Sequence, residues 1–401
     1  MTKRDAFLQA VFNGAIEEFL HFIQLHKDAA DSFDLNELLQ ELSRKQKEAL
    51  WEKLKHLLTQ VLVDDPVEEW QKIREECDDD METERAAKKV IISDSVITVV
   101  TSSIPIADEN INFKALLECA LILNGIVYAL PDSEKSLLRA IQCLCERWWE
   151  KGLEGKEEFG KTAFVMLLKN NLEKKTIGAN IIHLWRLHRA LLCFDYDLEE
   201  SNEVKDLLLQ CFMSVNHIKK EEGRRFLSFL FTWNVNFIKM IHGTVKNQLQ
   251  FLMTHIAEVY FRAWKKASGE ILEVIEHSCI QDFMHHAIHL PRKSPLHPKV
   301  REFLSYFHKQ NKCRQGVEEV LYRLYQPILW RALKARNSEI RSNAALLFVD
   351  AFPILNPSFN KEETDNEIQR QFDELFVSNI FPVASPSNWF DLIMNSVTSY
   401  S

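Results

Sequence analysis

The sequence predicts an all-α chain of paired antiparallel helices, on three observations. Glycine and proline are scarce, 10 and 11 in 401 residues, about 5% of the chain where ordinary usage is roughly 12%, which disfavours turn-rich, strand-rich and disordered architectures. Apolar residues make up 46% of the chain, and along nearly its whole length they recur at the i, i+3, i+4, i+7 spacing of helices buried along one face. The links between these stripes are short and polar, as in Pro131-Asp132-Ser133, Asn216-His217, Ala267-Ser268-Gly269 and Pro291-Arg292-Lys293-Ser294-Pro295, and short links join antiparallel neighbours.

In chain order, the periodicity predicts helices over 5–26, 35–63, 88–104, 112–130, 133–150, 161–174, 178–194 and 202–213. Residues 94–104 are β-branched enough for a strand, but a lone strand has no sheet to join, so packing is expected to make them helical. Helices follow over 220–245, 247–267, 270–289, 297–310, 315–335, 338–352 and 363–377. In the first of these Phe226, Phe229, Leu230, Trp233 and Phe237 fall on one stripe. Between 64 and 84 the chain is strongly acidic, and mutual repulsion predicts an exposed loop at about 74–84.

The stretch from Gln326 to Phe348 holds two amphipathic helices. Pro327 bends the first by removing an amide donor, and Asn337 at the turn can cap the second. It resembles a HEAT repeat, which makes the predicted fold an α-solenoid of HEAT/ARM-type antiparallel helix pairs.

Eight cysteines lie in apolar stripes without a framework spacing, so a reducing compartment is expected. The N-terminus opens no signal peptide. The most apolar region, Leu116 to Leu130, is interrupted by Glu118, Asn124 and Gly125 and is shorter than the ~20 residues of a membrane span. These readings predict a soluble intracellular protein without membrane contact.

The formal net charge of −9 conceals an asymmetry: residues 1–200 carry −12, 201–350 carry +8 and 351–401 carry −5. The basic middle is built from pairs, Lys219-Lys220, Arg224-Arg225, Lys265-Lys266 and Arg292-Lys293. A solvated helical surface accounts for such pairs; so does contact with a polyanion.

Three constellations call for chemistry by their spacing. Gly155-Lys-Glu-Glu-Phe-Gly160-Lys161-Thr162 satisfies the phosphate-loop pattern letter for letter, yet such a loop needs a buried strand to deliver its amides. An amphipathic helix precedes it, and Glu157 and Glu158 would face the phosphates, so Gly155, Gly160, Lys161 and Thr162 are read as a chance match at a helix-to-helix turn, with the next helix starting near Thr162. His285, His286 and His289 with Cys279 could offer nitrogen and sulfur to zinc, but no fourth ligand has standard spacing. Cys143 and Cys145 lack the two-residue spacer of redox and zinc pairs. No nucleophile elbow, dinucleotide loop or kinase signature is present. The expectation is therefore a non-enzyme with no cofactor and no metal.

Several longer strings agree in order with one family. Asn36 to Glu48, Phe194-Asp-Tyr-Asp-Leu-Glu-Glu-Ser, Ile218-Lys-Lys-Glu-Glu-Gly-Arg-Arg-Phe-Leu, Trp233 to Gly243, and Phe261-Arg-Ala-Trp-Lys-Lys-Ala-Ser-Gly resemble the G-type HEAT-repeat subunits of condensin II. The likeness runs from about residue 1 to about 375. It implies a nuclear, chromosome-bound scaffold that holds the kleisin subunit and, through the complex, the pair of structural-maintenance-of-chromosomes ATPases, in mitotic chromosome condensation and segregation. It implies DNA contact jointly with the kleisin, for which Lys219, Lys220, Arg224, Arg225, Lys265, Lys266, Arg292 and Lys293 are the candidates by charge alone. Family members are longer, and residues 376–401 read as a divergent tail, so the resemblance implies a C-terminally truncated form. The rival readings are a HEAT adaptor for transport or a phosphatase, and a nucleotide hydrolase using Lys161 and Thr162.

Overall fold

The computed structural model describes residues 3–28, 33–64, 80–131, 134–173, 180–249, 253–311 and 317–377. Among the described residues no strand occurs, and nearly every element is helical. The chain forms two compact units, Met1–Asn170 with Arg189–Phe194, and Asn171–His188 with Asp195–Ser401.

The first unit contains α1 (Lys3–Asn13), α2 (Ile16–Lys27), α3 (Leu35–Glu41), α4 (Arg44–Asp64), α5 (Asp80–Ser103), α6 (Lys114–Gly125), α7 (Lys135–Lys151) and most of α8 (Lys156–Leu172). The stripe expected over 5–26 is two helices, because Gly14 adopts φ +70°, a conformation that costs a side chain and ends α1. That over 35–63 is likewise divided at Leu42, and Ser43 and Gln46 exchange hydrogen bonds at the start of α4. The β-branched run is helical as expected: Val96, Ile97, Val99 and Val100 are buried on α5, and Trp51 of α4 donates to Ser103 at 3.0 Å. Ala87–Ile106 is long and apolar enough to cross a bilayer, but 61% of that stretch is packed inside the protein, where its apolarity builds core.

The acidic run departs from its expected loop. Residues 74–79 lie outside the described residues, but α5 is already helical at Asp80. The buried residues downstream nucleate the helix, and propagation adds one hydrogen bond per residue fixed, which outweighs local like-charge repulsion.

The second unit contains α9 (Asn180–Leu187), α10 (Asn202–Cys211), α11 (Val215–Lys219), α12 (Glu221–Phe229), α13 (Val235–Asn247), α14 (Met253–Lys266) and α15 (Gly269–Glu273). A π-helical segment, Val274–Ile280, leads into α16 (Gln281–His289), followed by α17 (His297–Asn311), α18 (Val317–Leu333), α19 (Ser338–Ala351) and α20 (Lys361–Val377). The single helix expected over 220–245 is interrupted by a 3-10 turn, Leu230–Thr232, and α13 restarts where the Asn234 side chain accepts from the Asn236 amide. Asn337 caps α19 as expected, accepting from Glu339 and Ile340, and Pro327 lies inside α18. Both units thus use the helix-pair packing expected of an α-solenoid. The expected tail falls, from 378 onward, outside the described residues.

Aromatic rings fill the core of the second unit. Tyr260 makes edge contacts with Phe231, Phe283 and Phe303, and its hydroxyl meets His242 Nδ1 at 3.2 Å while His242 Nε2 meets Asp282 at 2.8 Å. Burial pushes two other histidines down, His217 to about 4 and His308 to about 3. Both rings stay neutral in the fold while the unfolded chain takes up protons below about pH 6.5. Stability is therefore full above that pH and declines as the pH falls toward 4. The urea midpoint is expected to drop progressively between pH 7 and pH 4.5; a flat profile over that range would show that these rings titrate normally.

Candidate nucleic-acid interface

The basic pairs of the second unit do not form one surface. Ion pairs set the register of α12 against α14: Glu221 Oε1 and Oε2 each receive a guanidinium hydrogen bond from Arg262 at 2.9 Å, and Arg224 Nε lies 3.0 Å from Glu258. Rising numbers on α12 thus meet falling numbers on α14, so the helices run antiparallel. The N-terminal end of α12, with Lys219 and Lys220 just before it, meets the C-terminal end of α14, with Lys265 and Lys266. The aromatic contacts of α14 with α17, Tyr260 to Phe303 and Phe261 to Phe307, run in the parallel sense. Arg292 and Lys293 precede α17 and so lie toward the opposite end of α14, roughly 20 Å away at 1.5 Å per helical residue.

All three arginines of the basic pairs hydrogen-bond within the unit, but Arg225 and Arg292 keep exposed surface and only Arg224 is mostly buried. Arg224 donates to the carbonyls of Ile218 and Lys219, at 3.2 and 2.6 Å, which closes the end of α11. It also meets Glu221 and Glu258, and only 13% of its side chain is exposed. Arg224, a contact candidate by charge alone, is thus a structural member of the unit. Arg292 likewise donates to Asn343 at 3.2 Å and to Ser342, binding the α16–α17 link to α19. Arg225 donates to Glu221 at 3.1 Å yet keeps 53% of its side chain exposed.

Lys219, Lys265, Lys266 and Lys293 are exposed and Lys220 is half-exposed. Arg224, Arg225 and Arg262 converge on Glu221. The hydrogen-bonded Arg262 leads in holding its carboxyl down at about 2. Two carboxylates, Glu221 and Glu258, thus meet three arginines, and with Glu222 the acids and arginines of that end balance, which leaves its net positive charge to Lys219, Lys220, Lys265 and Lys266. Glu221, Glu258 and Arg262 were not among the charge-based candidates. Their signal was present in the i+3 and i+4 spacing of Glu221 to Arg224 and Arg225, and of Glu258 to Arg262, but the cross-helix pair is invisible to local spacing.

The phosphate-loop match is a helix. Gly160, Lys161 and Thr162 lie within α8, which begins at Lys156 rather than near Thr162. A Cβ on Gly160 would lie 2.4 Å from the Trp149 ring, so this glycine serves the approach of two helices. Thr162 donates to the Glu158 carbonyl at 3.2 Å and Lys161 pairs with Glu158, leaving neither arranged around a phosphate. Among the histidines, His289 Nδ1 pairs with the His285 carbonyl at 2.9 Å. Cys279 is buried, which pushes its thiol up to about 12, and no metal-holding group of His, Cys, Asp or Glu occurs among the described residues. Cys145 is buried and Cys143 exposed, on different faces of α7.

Comparison with known proteins points in one direction. The family model described as Condensin II non structural maintenance of chromosomes subunit matches residues 210–356, the segment that holds the lysine-bearing end. Over 383 residues, 94% of this chain, the sequence is 66% identical to the condensin-2 complex subunit G2 of Xenopus laevis and 63% identical to that of Homo sapiens. The zebrafish (Danio rerio) subunit of the same name is 49% identical over the same length. The chain spans about a third of the length of these relatives, 33% in the frog and human proteins.

Proposed function

On the premise that this chain belongs to the condensin II non-structural-maintenance-of-chromosomes subunit family, we propose that it is a non-catalytic scaffold that binds DNA phosphates through Lys219, Lys220, Lys265 and Lys266. The observation that carries the reading is the antiparallel pairing of α12 and α14, which brings two lysine pairs to one end while Glu221 and Glu258 beside them are paired with arginines. Such a surface suits the backbone of a duplex, since phosphates are read by charge without base-specific groups. The proposal extends to the partners: residues 1–375 act as a HEAT/ARM-like body that seats the kleisin of condensin II, the ATPases join through the complex, and the work is done on chromosomes in the nucleus during mitosis. Arg225 adds a weaker contact; Arg292 and Lys293 belong to a separate patch.

The test is duplex binding by fluorescence anisotropy across a salt series, comparing the chain with a variant in which all four lysines become glutamate. Each lost phosphate contact removes about 0.9 from the slope of log affinity against log salt, so the slope is expected to fall by about 3 to 4 and low-salt affinity with it. Equal binding by both proteins would refute the surface. A pull-down against the condensin II kleisin at moderate salt tests the other half: retention supports the scaffold reading, and loss with helicity intact removes kleisin binding from these residues.

A further inference from the structure

The link between α14 and α15 carries a hydroxyl that has no protein partner among the described residues. Ser268 is exposed, its backbone is extended at φ −147° and ψ 162°, and it stands at the cap position of α15 without capping it. The turn itself is made by the next residue, Gly269, at φ +56°.

Lys265 and Lys266 stand three and two residues before Ser268, and both are exposed. No other serine or threonine in the sequence has lysine or arginine at both of those positions. Basophilic serine kinases hold basic side chains at these two places in acidic subsites and take the substrate as an extended segment. Ser268 is already extended. The two lysines close α14, and the end of a helix opens at little cost, while Trp264, 7% exposed, keeps the preceding turn in the core.

We infer that Ser268 is a phosphorylation site and that its phosphate closes the lysine-bearing end to DNA; the second half rests on the DNA reading above. In the transfer the Ser268 Oγ forms a bond to the γ-phosphorus of ATP, the bond from that phosphorus to the β,γ-bridging oxygen breaks, ADP leaves, and the hydroxyl proton passes to a base of the kinase. The product carries about −1.5 to −2 charges at neutral pH. At most about 7 Å of chain separates it from Lys266 and about 11 Å from Lys265, comparable with the screening length of about 8 Å at physiological salt. The phosphate therefore offsets much of the charge of the nearer lysine pair and offers those ammonium groups an intramolecular partner in place of a duplex phosphate.

The test treats the whole chain with magnesium, ATP and the catalytic subunit of cyclic-AMP-dependent protein kinase as a basophilic probe, and reads the peptide containing Ser268 by mass spectrometry. Phosphate on that peptide is the expected result. Duplex anisotropy then compares the phosphorylated chain with Ser268→Ala treated alike, a variant that gives up no capping bond and controls for other sites. The phosphorylated chain should bind about tenfold or more weakly at about 50 mM salt, with a salt slope smaller by about 2, while Ser268→Ala keeps the affinity of the untreated chain. Failure of Ser268 to accept phosphate while a basic reference peptide is modified would overturn the site. Unchanged affinity after phosphorylation, in the face of a loss in the four-lysine variant, would overturn the switch. If the four-lysine variant itself binds like the parent chain, the DNA reading fails and the switch fails with it, whatever Ser268 accepts.

Discussion

Gly223→Ala is expected to destabilise the second unit by about 3 kcal/mol, the upper range for forcing a methyl into a packed interior. A Cβ at this position would stand 2.1 Å from the His217 carbonyl oxygen and 2.7 Å from His217 C and Cα. The obstacle is backbone, so no side-chain rotamer relieves it; the corner between α11 and α12 has to open. Opening would strip Arg224 from the carbonyls of Ile218 and Lys219 and displace Lys219 and Lys220 from the pairing with α14. At about 2–4 °C per kcal/mol for a unit of this size, the melting temperature should fall by roughly 6–12 °C, with a loss of duplex affinity in the folded fraction. Gly243→Ala is the control, since nothing lies within 4 Å of a Cβ there and a mid-helix alanine gains about 0.5–1 kcal/mol over glycine. Were the two variants to melt alike, the contact between Gly223 and His217 would not exist in solution.

Arg323→Ala is expected to cost nearly as much, by leaving a buried charge without its counter-ion. Glu276 is 1% exposed and its two carboxylate oxygens receive Arg323 at 2.6 and 2.8 Å and Trp264 Nε1 at 3.1 Å. Removing one member of a buried pair costs about 3–5 kcal/mol. Half of the Arg323 side chain reaches solvent, which screens the pair and places the expectation at the lower end, about 3 kcal/mol. Adding Glu276→Gln to Arg323→Ala should restore much of the loss, because a neutral amide oxygen still accepts from Trp264 and no charge remains to be buried. Equal denaturation midpoints for the single and double variants would mean that the cost arises from lost packing of the arginine stem.

The helical content was legible because it depends on periodicity: nearly every stripe of apolar residues became a helix, including 94–104, where β-branched residues locally favour a strand. Breaks inside stripes were less legible. Gly14 and Asn234 are short-range signals of a stop and a start, yet the apolar spacing runs across both, so 5–26 and 220–245 looked continuous. The onset of α5 at Asp80 escaped for a related reason, since a helix nucleated downstream extends into residues whose own charges argue for a loop. At the candidate interface the lysines were visible as charge, and local spacing alone could flag the pairing of Arg224 with Glu221. It could not flag the donation of Arg262 across helices to Glu221, which decides how much charge is left over.

What the amino-acid sequence determined by itself is the all-α class, the helix-pair grammar at Asn337 and Pro327, and the family likeness, because each rests on local spacing or on long strings in order. Only the tertiary structure decided which basic residues are engaged by their own unit. Arg224 and Arg292 look like Lys219 and Lys293 in a charge count, yet Arg224 is drawn onto backbone carbonyls and two carboxylates, and Arg292, though exposed, donates to an amide and a hydroxyl of α19. The shorter reach of a local pattern cannot see those partners, and packing alone places Lys219, Lys220, Lys265 and Lys266 together while it sends Lys293 to the other end.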